Sequence, residues 1–92
     1  MALLNDDEIR IRLEGTDWRR EGDAIEREWR FHDFAAAIAF VERVAEVAEE
    51  ANHHPDILVH GWNKVRLTLS THAEGGITGA DLALAERLGT LS

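Results

Sequence analysis

The chain has no cysteine, a single proline, few basic residues beside its acidic ones, and no apolar run long enough to cross a membrane. Each shortage closes off a class of protein. Without cysteine, neither disulfides nor thiolate metal sites can staple the fold, and the cytoplasmic location expected for the chain is compatible with that absence. Ten Lys and Arg against eighteen Asp and Glu give a formal charge of -8. Long-range repulsion therefore opposes phosphate backbones and anionic membrane surfaces, so no direct nucleic-acid or membrane partner is expected. Met1 to Arg12 carries acidic residues where a signal peptide has a basic region, and neither export nor a membrane anchor is expected.

What is present suits one small folded unit. The composition is 45% hydrophobic and 30% charged over 92 residues, enough apolar surface to offset ordering entropy, although a domain of this size buries only about 60–65% of its unfolded surface. No repeat, linker or low-complexity segment divides the chain, so residues 1–92 are expected to form a single domain.

Periodicity and turn chemistry predict the elements. Ile9 and Leu13 lie four apart in a short helix over Asp6 to Leu13, capped by Asn5 or Asp6 and ended by Gly15. Asp17 to Glu21 and Ala24 to Phe31 flank Gly22 and Asp23 and read as a hairpin. Alternation in the second run puts Ile25, Arg27, Trp29 and Phe31 on one sheet face, with Arg27 the odd member. Asp33 caps a long helix ending at Ala51, whose inward face is predicted to be Phe34, Ile38, Val41, Ala45 and Ala48. Pro55 forces that helix to stop near Asn52 to His54.

Ile57 to His60 forms a short apolar run, and Val65, Leu67 and Leu69 alternate with polar residues in a strand that delivers His72 near its end. Gly75 and Gly76 break the chain. Thr78 caps a final helix with Leu82, Ala85 and Leu88, or Leu84 and Leu88, facing inward. The expected fold is α+β, in the order α-β-β-α-β-β-α, with a four-stranded antiparallel sheet and helices on one face.

Three of the five histidines, His53, His54 and His72, fall at element ends, where side chains can converge on a cleft. Imidazoles have an ordinary pKa of about 6.5, so a group of them can donate and accept protons near neutrality. Asp81 and Glu49 supply carboxylates able to orient an imidazole or hold a polar substrate edge. The plain alternative for His53 and His54 is a helix C-terminus whose imidazoles interact with the macrodipole, worth about 0.3–1 kcal/mol each when protonated. Residue spacing does not separate these two readings. His32 and His60 are assigned no role. Zinc is disfavoured because adjacent His53 and His54 point apart in extended chain and lack helical ligand spacing. Ser70 and Ser92 lack the glycines of a nucleophile elbow.

The run Asn52, His53, His54, Pro55, Asp56, then Trp62, Asn63, Lys64, Val65, then Ser70, Thr71, His72, resembles the signature of the pterin-4a-carbinolamine dehydratase family. Glu49 precedes His53 by four residues, His72 follows Trp62 by ten and Asp81 follows His72 by nine, all as in that family. The likeness extends through Trp18, Asp23 to Ile25, Phe31, Asp33, Phe34, Gly75, Gly76, Thr78 and Leu82. Trp62 stands where many members have tyrosine, Asn52 where some have aspartate, and the interval from Pro55 to Trp62 is one residue longer than usual.

The resemblance implies an enzyme that eliminates water from the 4a-hydroxytetrahydropterin left by aromatic amino-acid hydroxylases, giving quinonoid dihydropterin without a metal or organic cofactor. It implies His54 as the principal acid/base, and His53 and His72 as groups that bind and polarise the 4a-hydroxyl. Glu49 would orient the site or the pterin, with Asn52, Ser70 and Thr71 at the substrate and Trp18 as an apolar wall. Asp81 would support the site by orienting His72. Homodimers or homotetramers built through sheet edges and helices are also implied. The competing expectation is a non-catalytic interaction or assembly module on the same fold.

Overall fold

The computed structural model describes residues 2–91; Ser92, weighed above as a nucleophile, lies outside them. Helix α1 (Asp6–Leu13) begins at Asn5, whose side chain accepts from Glu8 N–H at 2.8 Å while the Glu8 carboxylate accepts from Asn5 N–H at 3.1 Å. This reciprocal cap, with acidic residues in the first turn and Arg10 and Arg12 in the last, suits the helix dipole. A helix of this length is unstable alone. It is anchored by buried Ile9 and by the chain before it, where Leu4 N–H donates to Ile77 O at 2.9 Å.

Strands β1 (Arg19–Glu21) and β2 (Ala24–Arg30) form the expected hairpin, shorter at its open end than predicted, with Gly22 in the turn at φ 60°. Strands β3 (Asp56–His60) and β4 (Lys64–Leu69) complete an antiparallel sheet in the order β1-β2-β4-β3. Trp29 sits opposite Val65, and Ile25 opposite Leu69, so one face of alternate residues is apolar and carries the helices. Arg27 shares that face without breaking it: its guanidinium stacks 4.4 Å from the Trp29 ring centroid and its end reaches Asp17 at 3.4 Å.

Helix α2 (Phe34–Ala51) starts where predicted, Asp33 accepting from Ala36 N–H at 2.7 Å. Its inward face agrees with the predicted one at Ala48, with Val41 packed at the margin of the core, and differs elsewhere. The buried residues are Ala37, Phe40, Val44 and Ala48, whereas Phe34 is 54% exposed and Ala45 is also exposed. The helix carries two apolar stripes, and the core takes the one bearing Phe40, whose ring lies 4.9 Å from Trp29 and 5.0 Å from Phe31. After Leu69 the chain leaves the sheet, so His72 opens a 3₁₀ turn (His72–Glu74) instead of ending a strand. Helix α3 (Gly79–Gly89) is capped by Thr78 and buries Leu82, Leu84, Ala85 and Leu88, both alternative sets at once.

Candidate active site

The site grows from the end of α2. Asn52 takes the left-handed conformation, φ 50° and ψ 40°, and its N–H still reaches the carbonyls of the last turn, while His53 N–H bonds Ala48 O at 3.2 Å. Asparagine tolerates this conformation better than most residues. With Pro55 preventing a return to helix, His53 and His54 follow in non-helical chain, and their side chains part.

His53 turns inward, its Nε2 lying 2.6 Å from Oδ1 of Asp81, a wholly buried residue at the start of α3. The second Asp81 oxygen accepts from Thr71 Oγ1–H at 2.8 Å and from Thr78 N–H at 2.9 Å. A buried carboxylate is tolerated when it is given such donors. Because an ionised carboxylate only accepts, Nε2 of His53 must carry the proton between them, leaving Nδ1 as the other ring nitrogen. Asp81 was expected to orient His72; its imidazole partner is His53 instead, 28 residues away in the chain.

His54 turns outward, its Nε2 hydrogen-bonded to Glu49 Oε2, with both side chains exposed. His72 lines a cleft of about 320 Å³ with Asp23, Asp56, Thr68 and Ser70; His53 and His54 do not line it. The connection between His72 and His53 runs through protein. Thr71 immediately precedes His72, its carbonyl accepts from Glu74 and Gly75 N–H at 3.0 Å each, and its hydroxyl binds Asp81.

Other predicted residues are occupied differently from expectation. Ser70 Oγ–H donates to Asp23 O at 2.7 Å, and Asn52 is exposed and serves as the helix cap. Trp18 packs edge-on against Trp29 at 5.7 Å and lines, with Leu13, Leu82 and Ala85, a hollow of about 300 Å³ distinct from the His72 cleft. Among the described residues, no three His, Asp or Glu side chains are grouped to hold a metal ion. Sequence reasoning took Thr78 for a helix cap alone. Its spacing to Asp81, Thr-x-x-Asp, was the available sign that both residues belong to one hydrogen-bonded unit.

A family model described as pterin 4 alpha carbinolamine dehydratase matches residues 2–91. A protein of Thermomicrobium roseum is 52% identical, covering 100% of this chain and 99% of its own length, and one of Mycobacteroides abscessus is 52% identical, covering 98% and 96%. Both carry the name "Putative pterin-4-alpha-carbinolamine dehydratase". Among solved structures, a transcriptional coactivator/pterin dehydratase from Brucella melitensis superposes with a TM-score of 0.90 at 31% identity, covering 98% of each chain. A pterin dehydratase-like protein identified as a RuBisCO assembly factor in the alpha-carboxysome superposes at 0.70 with 28% identity, covering 84% of this chain and 90% of that one.

Proposed function

Because the chain belongs to the pterin-4-alpha-carbinolamine dehydratase family, we propose that it eliminates water from a 4a-hydroxytetrahydropterin, taking over the product of an aromatic amino-acid hydroxylase. The bond from C4a to the hydroxyl oxygen breaks, the neighbouring ring nitrogen gives up its proton, and a carbon–nitrogen double bond forms. The departing hydroxyl takes a proton and leaves as water. The reaction needs one proton delivered and one removed, which imidazoles can do near neutrality.

The observation that carries this reading is His53 fixed by the buried Asp81 carboxylate beside a solvent-facing His54. His54 is the principal acid/base, since its exposure lets it exchange protons with water between turnovers while its hydrogen bond to Glu49 orients the ring. His53 binds the 4a-hydroxyl, while His72 lies in a separate cleft with Ser70 and is tied to His53 through Thr71 and Asp81. The test is a stopped-flow assay with freshly generated carbinolamine. His54→Ala is expected to lose about 10²-fold or more in rate, the usual scale for a proton-transfer group. Full activity in that variant would remove His54 from the role.

A second reading, an interaction or assembly module, is favoured by the assembly factor that shares the fold at a TM-score of 0.70 and by exposed Phe34, Leu58 and Trp62. The two readings meet in self-association. Edge strand β3 carries exposed Ile57 and Leu58, and unpaired strand edges invite a symmetric partner. A homodimer or homotetramer is proposed, which light scattering in solution would read directly; a monomer at high concentration would reject it. No helix of the described residues is long and apolar enough to cross a membrane, and the cytoplasm is the proposed location.

A further inference from the structure

Thr78 is fully buried and caps α3 through its hydroxyl oxygen, which accepts from Ala80 N–H at 3.2 Å. The same hydroxyl lies 2.8 Å from the Thr71 hydroxyl, which in turn lies 2.8 Å from Asp81 Oδ2. Each hydroxyl has one proton to give. If Thr71 gave its proton to Thr78, Asp81 would lose a donor, and the Thr78 proton would have no other acceptor among the described residues. Burial makes both losses unfavourable. Only the order Thr78 to Thr71 to Asp81 satisfies every group.

We infer that Thr78 and Thr71 are positioning residues for the dehydration. Their directed hydroxyls anchor Asp81 Oδ2, Asp81 Oδ1 then holds His53 in the tautomer protonated at Nε2, and Nδ1 is presented to the substrate as a lone-pair acceptor. An acceptor there takes a hydrogen bond from the 4a-hydroxyl and leaves the oxygen's own lone pairs for the proton it must receive. The chain also ties the two histidine segments together, because Thr71 holds the turn that opens with His72. The inference deepens the dehydratase reading and depends on it only for kinetics.

The experiment compares the full chain with Thr78→Val, Thr78→Ser and Thr71→Val, using ¹⁵N-labelled histidine and assigning His53 from a His53→Gln spectrum. Wild type and Thr78→Ser should show His53 as one tautomer, protonated at Nε2, and Thr78→Val and Thr71→Val should show ring-nitrogen shifts averaged between tautomers. In the dehydration assay, kcat should fall about tenfold in the valine variants with KM unchanged, and Thr78→Ser should recover it, the pattern of lost positioning. Thr71→Val keeps the α3 cap intact, so it decides the matter if Thr78→Val fails to fold. Unchanged His53 tautomer in a folded Thr71→Val, or wild-type His53 protonated at Nδ1, would overturn the inference. A wild-type protein with no dehydratase activity would sink the proposed function, while the spectra would still decide the hydroxyl chain.

Discussion

Four histidines of this fold meet a carboxylate; beside His32, which lies 3.3 Å from its exposed sequence neighbour Asp33, three do so through hydrogen bonds, at three depths. His53 and Asp81 are 19% and 0% exposed, His60 and Glu28 34% and 38%, and His54 and Glu49 56% and 76%. The local chemistry is nearly the same in all three, an imidazole nitrogen against one carboxylate oxygen. What changes is the alternative available to each group when its partner is removed. Water replaces a lost partner at the surface and cannot easily do so in the interior. His53 is thus held in one orientation, while His54, its neighbour in sequence, keeps the freedom a proton-exchanging group needs.

The comparison is broken most severely at its buried end. Asp81→Ala leaves the His53 Nε2–H, the Thr71 hydroxyl and the Thr78 N–H without their acceptor and removes half of the α3 capping box. Each buried donor left without an acceptor costs about 1–3 kcal/mol, and loss of a helix cap about 1 kcal/mol. Urea unfolding should show a loss of about 3 kcal/mol, and a loss no larger than that of Glu49→Ala would mean that depth does not rank these pairs.

The middle pair sharpens the comparison through pH. The hydrogen bond from His60 holds the Glu28 carboxyl below its ordinary value of 4.5, with the charges of His60 and Arg66 adding to it and burial opposing it. A group whose folded-state pKa is depressed adds stability above its unfolded pKa and loses it as pH falls through the folded one. With both side chains more than a third exposed, solvent screening limits the effect to about 0.5 kcal/mol or less. His60→Leu should therefore be slightly less stable than wild type at pH 5.5, with the gap closing as the pH is taken to 3. A gap that widens on acidification would contradict the assignment.

The depth of these pairs was the part the sequence hid. Local chemistry was legible: Asn5, one of the two cap candidates, caps α1, Asp33 caps α2, and Pro55 stops α2, all from residues within a few positions of one another. Strand alternation in Val65, Leu67 and Leu69 likewise named its own buried face. The long-range facts were not. Asp81 is 28 residues from His53, and no spacing rule says which of three histidines a distant carboxylate will meet. On α2 the stripes through Phe34 and through Phe40 are both apolar, and only the aromatic cluster at Trp29 and Phe31 decides which is buried. Trp18 was placed by family resemblance, and local pattern gave no means to see that it packs on Trp29 beside α3.

The exposed pair should separate stability from chemistry. Glu49→Gln removes a charge that water already screens, so unfolding should change by about 0.3 kcal/mol or less, within the usual range for exposed ion pairs. The same substitution replaces the carboxylate that pairs with His54 Nε2 by a neutral amide, so the dehydration rate should fall by about three- to tenfold if that pairing holds the proton donor in place. Raising the salt concentration should weaken the wild-type advantage, since an exposed pair is screened where the Asp81 pair is not. If Glu49→Gln instead destabilised the fold while sparing the rate, His54 would be an anchored residue like His53. The division of labour between the two neighbours, one fixed and one free to exchange protons, would then be lost.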